Sequence, residues 1–185
     1  MAARVPYVTR ENLDAEGQRV YDQIRSDRGT NEVGLQFRAL LNSPKAAGHL
    51  TSLGAQLRFD SSAPENLKEL TIILVAREWN SDIEWTGHSV LAARAGVSDA
   101  SIEAIRTRKA PEGLTEDEAK IARYVLELLR EKKASDRAYK AVADLVGTRG
   151  AVDLTLTVSY YSGLALAQIG LALEMQPGRV STLNG

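Results

Sequence analysis

The chain has 185 residues, 44% hydrophobic and 25% charged, the composition of one soluble globular domain with room for a sizeable core. A formal net charge of −1 carries no electrostatic footprint for nucleic acid or an anionic membrane, and the absence of cysteine excludes a structural disulfide, a thiolate metal site and a cysteine redox cycle. The N-terminal MAARVPYVTRENLDAEG has no apolar signal core and no apolar run approaches a membrane span, so a cytoplasmic protein is expected.

Apolar residues recur at helical spacing along almost the whole chain. After Thr9, Leu13, Val20, Tyr21 and Ile24 form one stripe, and Gly29 can end that helix. The next apolar stretch is split by Pro44, with Ser43 as its N-cap. Ser62–Ala–Pro–Glu65 reads as a capping box opening ENLKELTIILVAREWN, a buried helix; a strand over TIILV is the competing reading. A second helix over roughly 81–95 ends at Gly96, and Ser98 caps the next. Thr115–Glu–Asp–Glu118 is another capping box, for a helix reaching about Lys133. Ser135 starts a helix that ends near Gly147, and the apolar stretch from Val152 to Met175 reads as a core or interface helix. Its small residues, Gly163, Ala165, Ala167, Gly170 and Ala172, permit close helix packing. Residues 108–114 and the tail PGRVSTLNG read as linkers. The prediction is a single all-α domain over 1–185, with about seven to nine helices.

Residues 78–88, EWNSDIEWTGH, concentrate chemistry. Trp79 and Trp85 are the chain's only tryptophans, and His88 is one of two histidines. Ser81, Glu84 and His88 are three and four apart and share a helix face, with Trp85 flanking His88. A tight turn near Asn80 would fold this helix onto its predecessor and bring Glu69 beside His88. Two carboxylates, an imidazole and a hydroxyl in one pocket, walled by Trp79 and Trp85, suit proton transfer, because imidazole titrates near neutrality and a carboxylate can orient it. The same spacing is also met in ordinary helix packing. A metal site from Glu69, Glu84 and His88 lacks a second nearby histidine, and Ser81 lacks the strand–turn–helix elbow of a serine nucleophile. No metal and no cofactor is predicted.

The stretch ELTIILVAREWNSDIEWTGHSVLAARAGVSDASIEAIR resembles the core, here about 62–108, of the carboxymuconolactone decarboxylase and alkylhydroperoxidase D-like superfamily. That resemblance implies an all-helical fold. The hydroperoxidase branch carries a glutamate, eleven residues, then Cys-x-x-Cys-x-x-x-His. On this chain the glutamate falls on Glu69 and the histidine on His88, while the cysteine positions hold Ser81 and Glu84. The downstream A-x-x-A-G-V-S-x-x-x-I-x-x-I pattern fits Ala92–Ile105, LLNSP at 40–44 fits the helix break before the core, and the segment with Tyr160 and Tyr161 is similar to the closing long helix.

Serine and glutamate cannot pass electrons as a cysteine pair does, so thiol-dependent hydroperoxide reduction is not expected. The decarboxylase branch works without a redox pair. The resemblance therefore implies a cofactor-independent, lyase-like acid–base enzyme acting on a small organic acid or lactone. His88, Glu69 and Glu84 would be its catalytic residues. Ser81, Trp79, Trp85, Arg77, Tyr160 and Tyr161 would be candidate substrate contacts, Arg77 by pairing a substrate carboxylate. The alternative is a non-catalytic binding or assembly protein on the same fold. Either way the apolar last helix and the resemblance predict a homo-oligomer, a trimer, hexamer or dimer, with neither a nucleic acid nor a membrane as partner.

Overall fold

A computed structural model describes residues 2–183. Among these the chain forms eight α-helices and no strand, as the helical spacing predicts. They are α1 (Ala15–Arg28), α2 (Leu35–Leu40), α3 (Pro44–Phe59), α4 (Glu65–Glu78), α5 (Asp82–Arg94), α6 (Asp99–Arg106), α7 (Glu116–Leu126) and α8 (Asp136–Leu171). A 3-10 turn at Arg10–Asn12 precedes α1, and a π-helical turn at Glu127–Glu131 follows α7. The chain divides into two compact units. One contains the N-terminal residues through Asp60 with Leu166–Arg179; the other contains Ser61–Ala165 with the residues from Val180 on.

In the first unit α1 and α2 pack on α3. Asp14 starts α1 by accepting from the Gly17 amide at 2.8 Å, and Gly29 ends it in the left-handed region at φ 58°. Gly48 lets α1 lie close: a Cβ there would come within 3.3 Å of Val20 Cγ2. Arg38 holds the N-terminal segment, donating from Nε to Val8 O at 3.0 Å and from Nη2 to Tyr7 O at 2.9 Å.

In the second unit α4 is central. Ten successive residues, Leu67 to Ala76, are buried, and α4 packs against α5, α6 and α7. Burial all round explains why its apolar run has no clear stripe and why TIILV resembled a strand. The Ser62 capping box does not form. α4 begins after Pro64, and Ser62 instead donates from its hydroxyl at 3.1 Å and its amide at 2.9 Å to Asp153 Oδ2. Ser43 does precede Pro44 at the start of α3, but its side chain makes no capping bond.

The later caps follow the sequence. Ser98 Oγ accepts from Ser101 N at 3.1 Å, and Ser135 Oγ accepts from Ala138 N at 3.2 Å. Gly147, at φ 72° and ψ 172°, breaks the helical geometry inside α8, where a helix end was expected. The last helix stops at Leu171 rather than near Met175. Ala172 turns left-handed at φ 50°, and Leu173 N closes on Gln168 O at 2.9 Å. This is the Schellman closure, here made by alanine in the place glycine usually takes.

Both halves of the Thr115 box are present. Thr115 N donates to Glu118 Oε2 at 2.9 Å, and Glu118 N donates to Thr115 Oγ1 at 3.4 Å. The same Glu118 oxygen accepts from the buried Ser101 hydroxyl at 2.8 Å, tying the start of α6 to the start of α7. Glu118→Ala leaves the buried Ser101 hydroxyl and the part-buried Thr115 amide without their acceptor and should lower the unfolding free energy by about 2–3 kcal/mol. Thr115→Ala, which removes only the cap, should cost about 1 kcal/mol. Urea denaturation of both variants checks the difference; equal losses would mean that the α6–α7 tie contributes nothing.

Candidate functional site

The site grows from the turn between α4 and α5. Trp79 ends α4, Asn80 takes a left-handed φ of 50°, and Ser81 caps α5. Asparagine tolerates that conformation because its short polar side chain bonds locally. The three-residue connection folds α5 back along α4. Ser81 Oγ accepts from Glu84 N at 3.2 Å, so Ser81 serves α5 as its N-cap.

The fold-back brings Glu69 and His88 together. His88 Nδ1 lies 2.7 Å from Glu69 Oε2, and its Nε2 lies 3.6 Å from Glu84 Oε2. The first contact is a strong hydrogen bond, whose donor and acceptor follow the imidazole tautomer; the second is beyond hydrogen-bond range. The ring of Tyr161 meets the imidazole edge-on, centroids 5.0 Å apart at 83°, and Tyr160 meets Tyr161 likewise at 5.1 Å and 85°. The whole group is buried: Glu69 is 1% exposed, Glu84 4%, His88 6% and Tyr161 3%.

Of the residues expected at the site, Glu69, Glu84, His88 and Tyr161 therefore converge, with Tyr160 one ring further out. Trp85 is buried on α5 beside them, 1% exposed. Arg77 and Trp79 lie eight and ten residues beyond Glu69, about 12 and 15 Å further along the helix axis at 1.5 Å per residue. Arg77 there donates to Asn80 Oδ1 at 2.6 Å. Among the described residues no three acidic or imidazole side chains are arranged to hold a metal ion, the Glu69–His88–Glu84 group included.

The tail, expected to be a linker, supplies contacts that sequence reasoning missed. Trp85 Nε1 donates to Thr182 Oγ1 at 3.2 Å, and Ser181 Oγ donates to Asp82 Oδ1. Leu183 is 1% exposed although Val180 is 80% exposed. The advance signal was slight, two aliphatic residues, Val180 and Leu183, in a short terminus; Asn184 and Gly185, the end of the expected linker, lie outside the described residues.

No protein-family model matches the chain, and no curated protein matches it in sequence. Among the described residues no helix is long and apolar enough to cross a membrane.

The two histidines make the burial of this site measurable, because His49 is exposed on α3. Diethyl pyrocarbonate should modify His49 at least about tenfold faster than His88, which must wait for local opening. Leu183→Ser, which loosens the tail against α5, should speed the His88 reaction and leave that of His49 unchanged. Peptide mass mapping over time reads both rates; equal rates in the parent protein would contradict the buried geometry.

Proposed function

We propose that the chain is a cysteine-free member of the carboxymuconolactone decarboxylase and alkylhydroperoxidase D-like superfamily, and that Glu69, His88 and Glu84 form a proton relay acting on a small organic acid or lactone without a cofactor. The observation that carries this reading is the imidazole placed between two buried carboxylates, bonded to one and open toward the other. The carboxylate of Glu69 accepts from Nδ1–H and fixes the tautomer that turns the Nε2 lone pair toward Glu84. Nε2, which has no hydrogen bond to Glu84, is the nitrogen that moves a proton. It takes one from the substrate, and Glu69 stabilises the imidazolium that results. In a decarboxylation, the electrons of the breaking C–C bond stay on the substrate carbon as carbon dioxide leaves. The imidazolium then returns its proton to that carbon, directly or by passing it through Glu84, which leaves the imidazole neutral again. Tyr161 walls the imidazole and Ser81 holds the first turn of α5, which carries Glu84.

A second reading rests on burial. With His88 6% and Glu69 1% exposed, the same group works as a polar packing hub in a non-catalytic binding or assembly protein. Both readings include a homo-oligomer. On α8, Val152 is 49% and Leu156 41% exposed, and Ser159 and Gly163 continue that stripe at helical spacing. A Cβ at Gly163 would meet nothing within 4 Å, so its smallness serves no contact within one copy and suits close approach of a second.

Screening a library of small carboxylic acids and lactones for turnover separates the readings. If the relay is catalytic, His88→Ala should lower the rate by about 10²–10⁴-fold in protein that remains folded, its thermal midpoint lowered because Glu69 loses its buried partner. Glu69→Gln should be nearly as damaging, because an amide cannot stabilise the imidazolium. A large loss in Glu84→Gln makes Glu84 a proton carrier; a small one leaves His88 as the only one. Full activity in His88→Ala would end the catalytic reading.

Light scattering at micromolar concentration should find more than one subunit per particle. Leu156→Glu, a charge placed on the open stripe, should shift the particle toward the monomer. A monomeric parent protein would refute the assembly.

A further inference from the structure

The C-terminal end of α4 gathers four arginines around two carboxylates, all in the second unit. Arg106 is neutralised by Glu103, through Nε at 2.7 Å and Nη2 at 2.9 Å. Arg130, in the π-helical turn after α7, forks onto Glu78 with Nε to Oε2 at 2.9 Å and Nη2 to Oε1 at 2.8 Å. These two-point pairs commit both carboxylates. What remains for Arg108 is a longer, shared contact of 3.2 Å to Glu78 Oε1, which already accepts from Arg130. Its other partners are neutral, Arg77 O at 3.1 Å and Asn80 Oδ1 at 3.0 Å. The hydrogen-bonding partner of the Arg77 guanidinium is the same neutral Asn80 Oδ1, at 2.6 Å, and its buried Nε meets no acceptor among the described residues.

One amide oxygen thus holds two guanidinium groups side by side, with one shared carboxylate contact between them. Like charges held together and partly out of water are unfavourable without a counter-ion. Burial lowers the Arg77 pKa from its ordinary value, and the charge of Arg108 acts in the same direction. Asn80 at φ 50° and Arg108 at φ 58° are the left-handed residues that end α4 and α6, closed by Ser81 N on Ala76 O and by Lys109 N on Ala104 O, each at 2.8 Å, so two helix ends bring the guanidiniums together. Arg108 keeps 37% of its side chain exposed, so the pair can be reached from solvent.

We infer that Arg77 and Arg108, bridged by Asn80, form a binding site for an oxyanion, a carboxylate or a phosphate group, at the junction of α4 with the loop after α6. An oxyanion set between the two guanidiniums accepts from both and supplies the charge that Glu78 and Glu103 spend on Arg130 and Arg106. This site is independent of the proposed relay. Arg77 lies two helical turns from Glu69, and anion binding here requires no turnover.

Arginine Nε–Hε resonances of the full ¹⁵N-labelled chain, assigned with Arg→Gln variants, test the inference. Inorganic phosphate and succinate are titrated separately at constant ionic strength, with chloride as the control. Arg77 and Arg108 should shift along one saturating curve in at least one arm, with a Kd of about 1 mM or tighter. The arm that binds tighter names phosphate or carboxylate as the natural group. Arg108→Gln should weaken binding about tenfold or more, while Arg137→Gln, at the start of α8, should leave it unchanged. Arg77→Lys keeps the charge and loses the fork, so it should bind more weakly if Arg108→Gln fails to fold. Shifts that never saturate, or that chloride reproduces, would overturn the site. So would unchanged affinity in a folded Arg108→Gln or Arg77→Lys.

Discussion

A carboxyl group inside the most buried helix is the constraint on which the second unit turns. Glu69 sits within ten successive buried residues of α4 and is 1% exposed. An ionised side chain there is tolerable only with a partner, since leaving a buried charge unpaired costs about 3–5 kcal/mol. The partner is His88, and delivering it requires α5 to double back within three residues of the end of α4. That requirement accounts for the left-handed Asn80, for Ser81 as the cap, and for the phase of α5, which sets Glu84 and His88 inward together. Pairing and fold-back are thus one arrangement.

What the sequence made legible follows from local rules. Thr115 and Glu118, Ser98, Ser135 and Gly29 all act within a few residues, and each marks a helix end where the pattern placed it. The Glu69–His88 pair was also legible, although nineteen residues separate its members, because a single short turn converts that separation into contact. Ser62 shows where local rules give out. Its hydroxyl had the right offset to cap α4, but Asp153, ninety-one residues away, offered a charged acceptor instead. Ala172 shows another limit: it ends α8 in a conformation for which alanine gives no advance sign.

The arginine cluster lay beyond sequence reasoning for a similar reason. Arg108 and Arg130 are thirty and fifty-two residues from Glu78, and only the packing of α6 and α7 on α4 assembles them. Arg77 drew notice as a candidate substrate contact. Its neighbours are Asn80 and Arg108 at the far end of α4 rather than the imidazole. The tail was misjudged because its composition is that of a linker. Two hydroxyl groups bonded to side chains of α5, together with one buried leucine, order it.

The two tryptophans divide these regions between them. Trp85, fully buried, has its indole N–H tied to the tail through Thr182, while Trp79, half-buried, ends α4 two residues from Arg77 with an indole N–H that meets no acceptor among the described residues. Indole emission responds to the polarity and hydrogen bonding of its surroundings. The unlabelled chain therefore contains two native optical reporters in different settings: one sensitive to whether the tail is docked, the other to the junction where the guanidiniums gather.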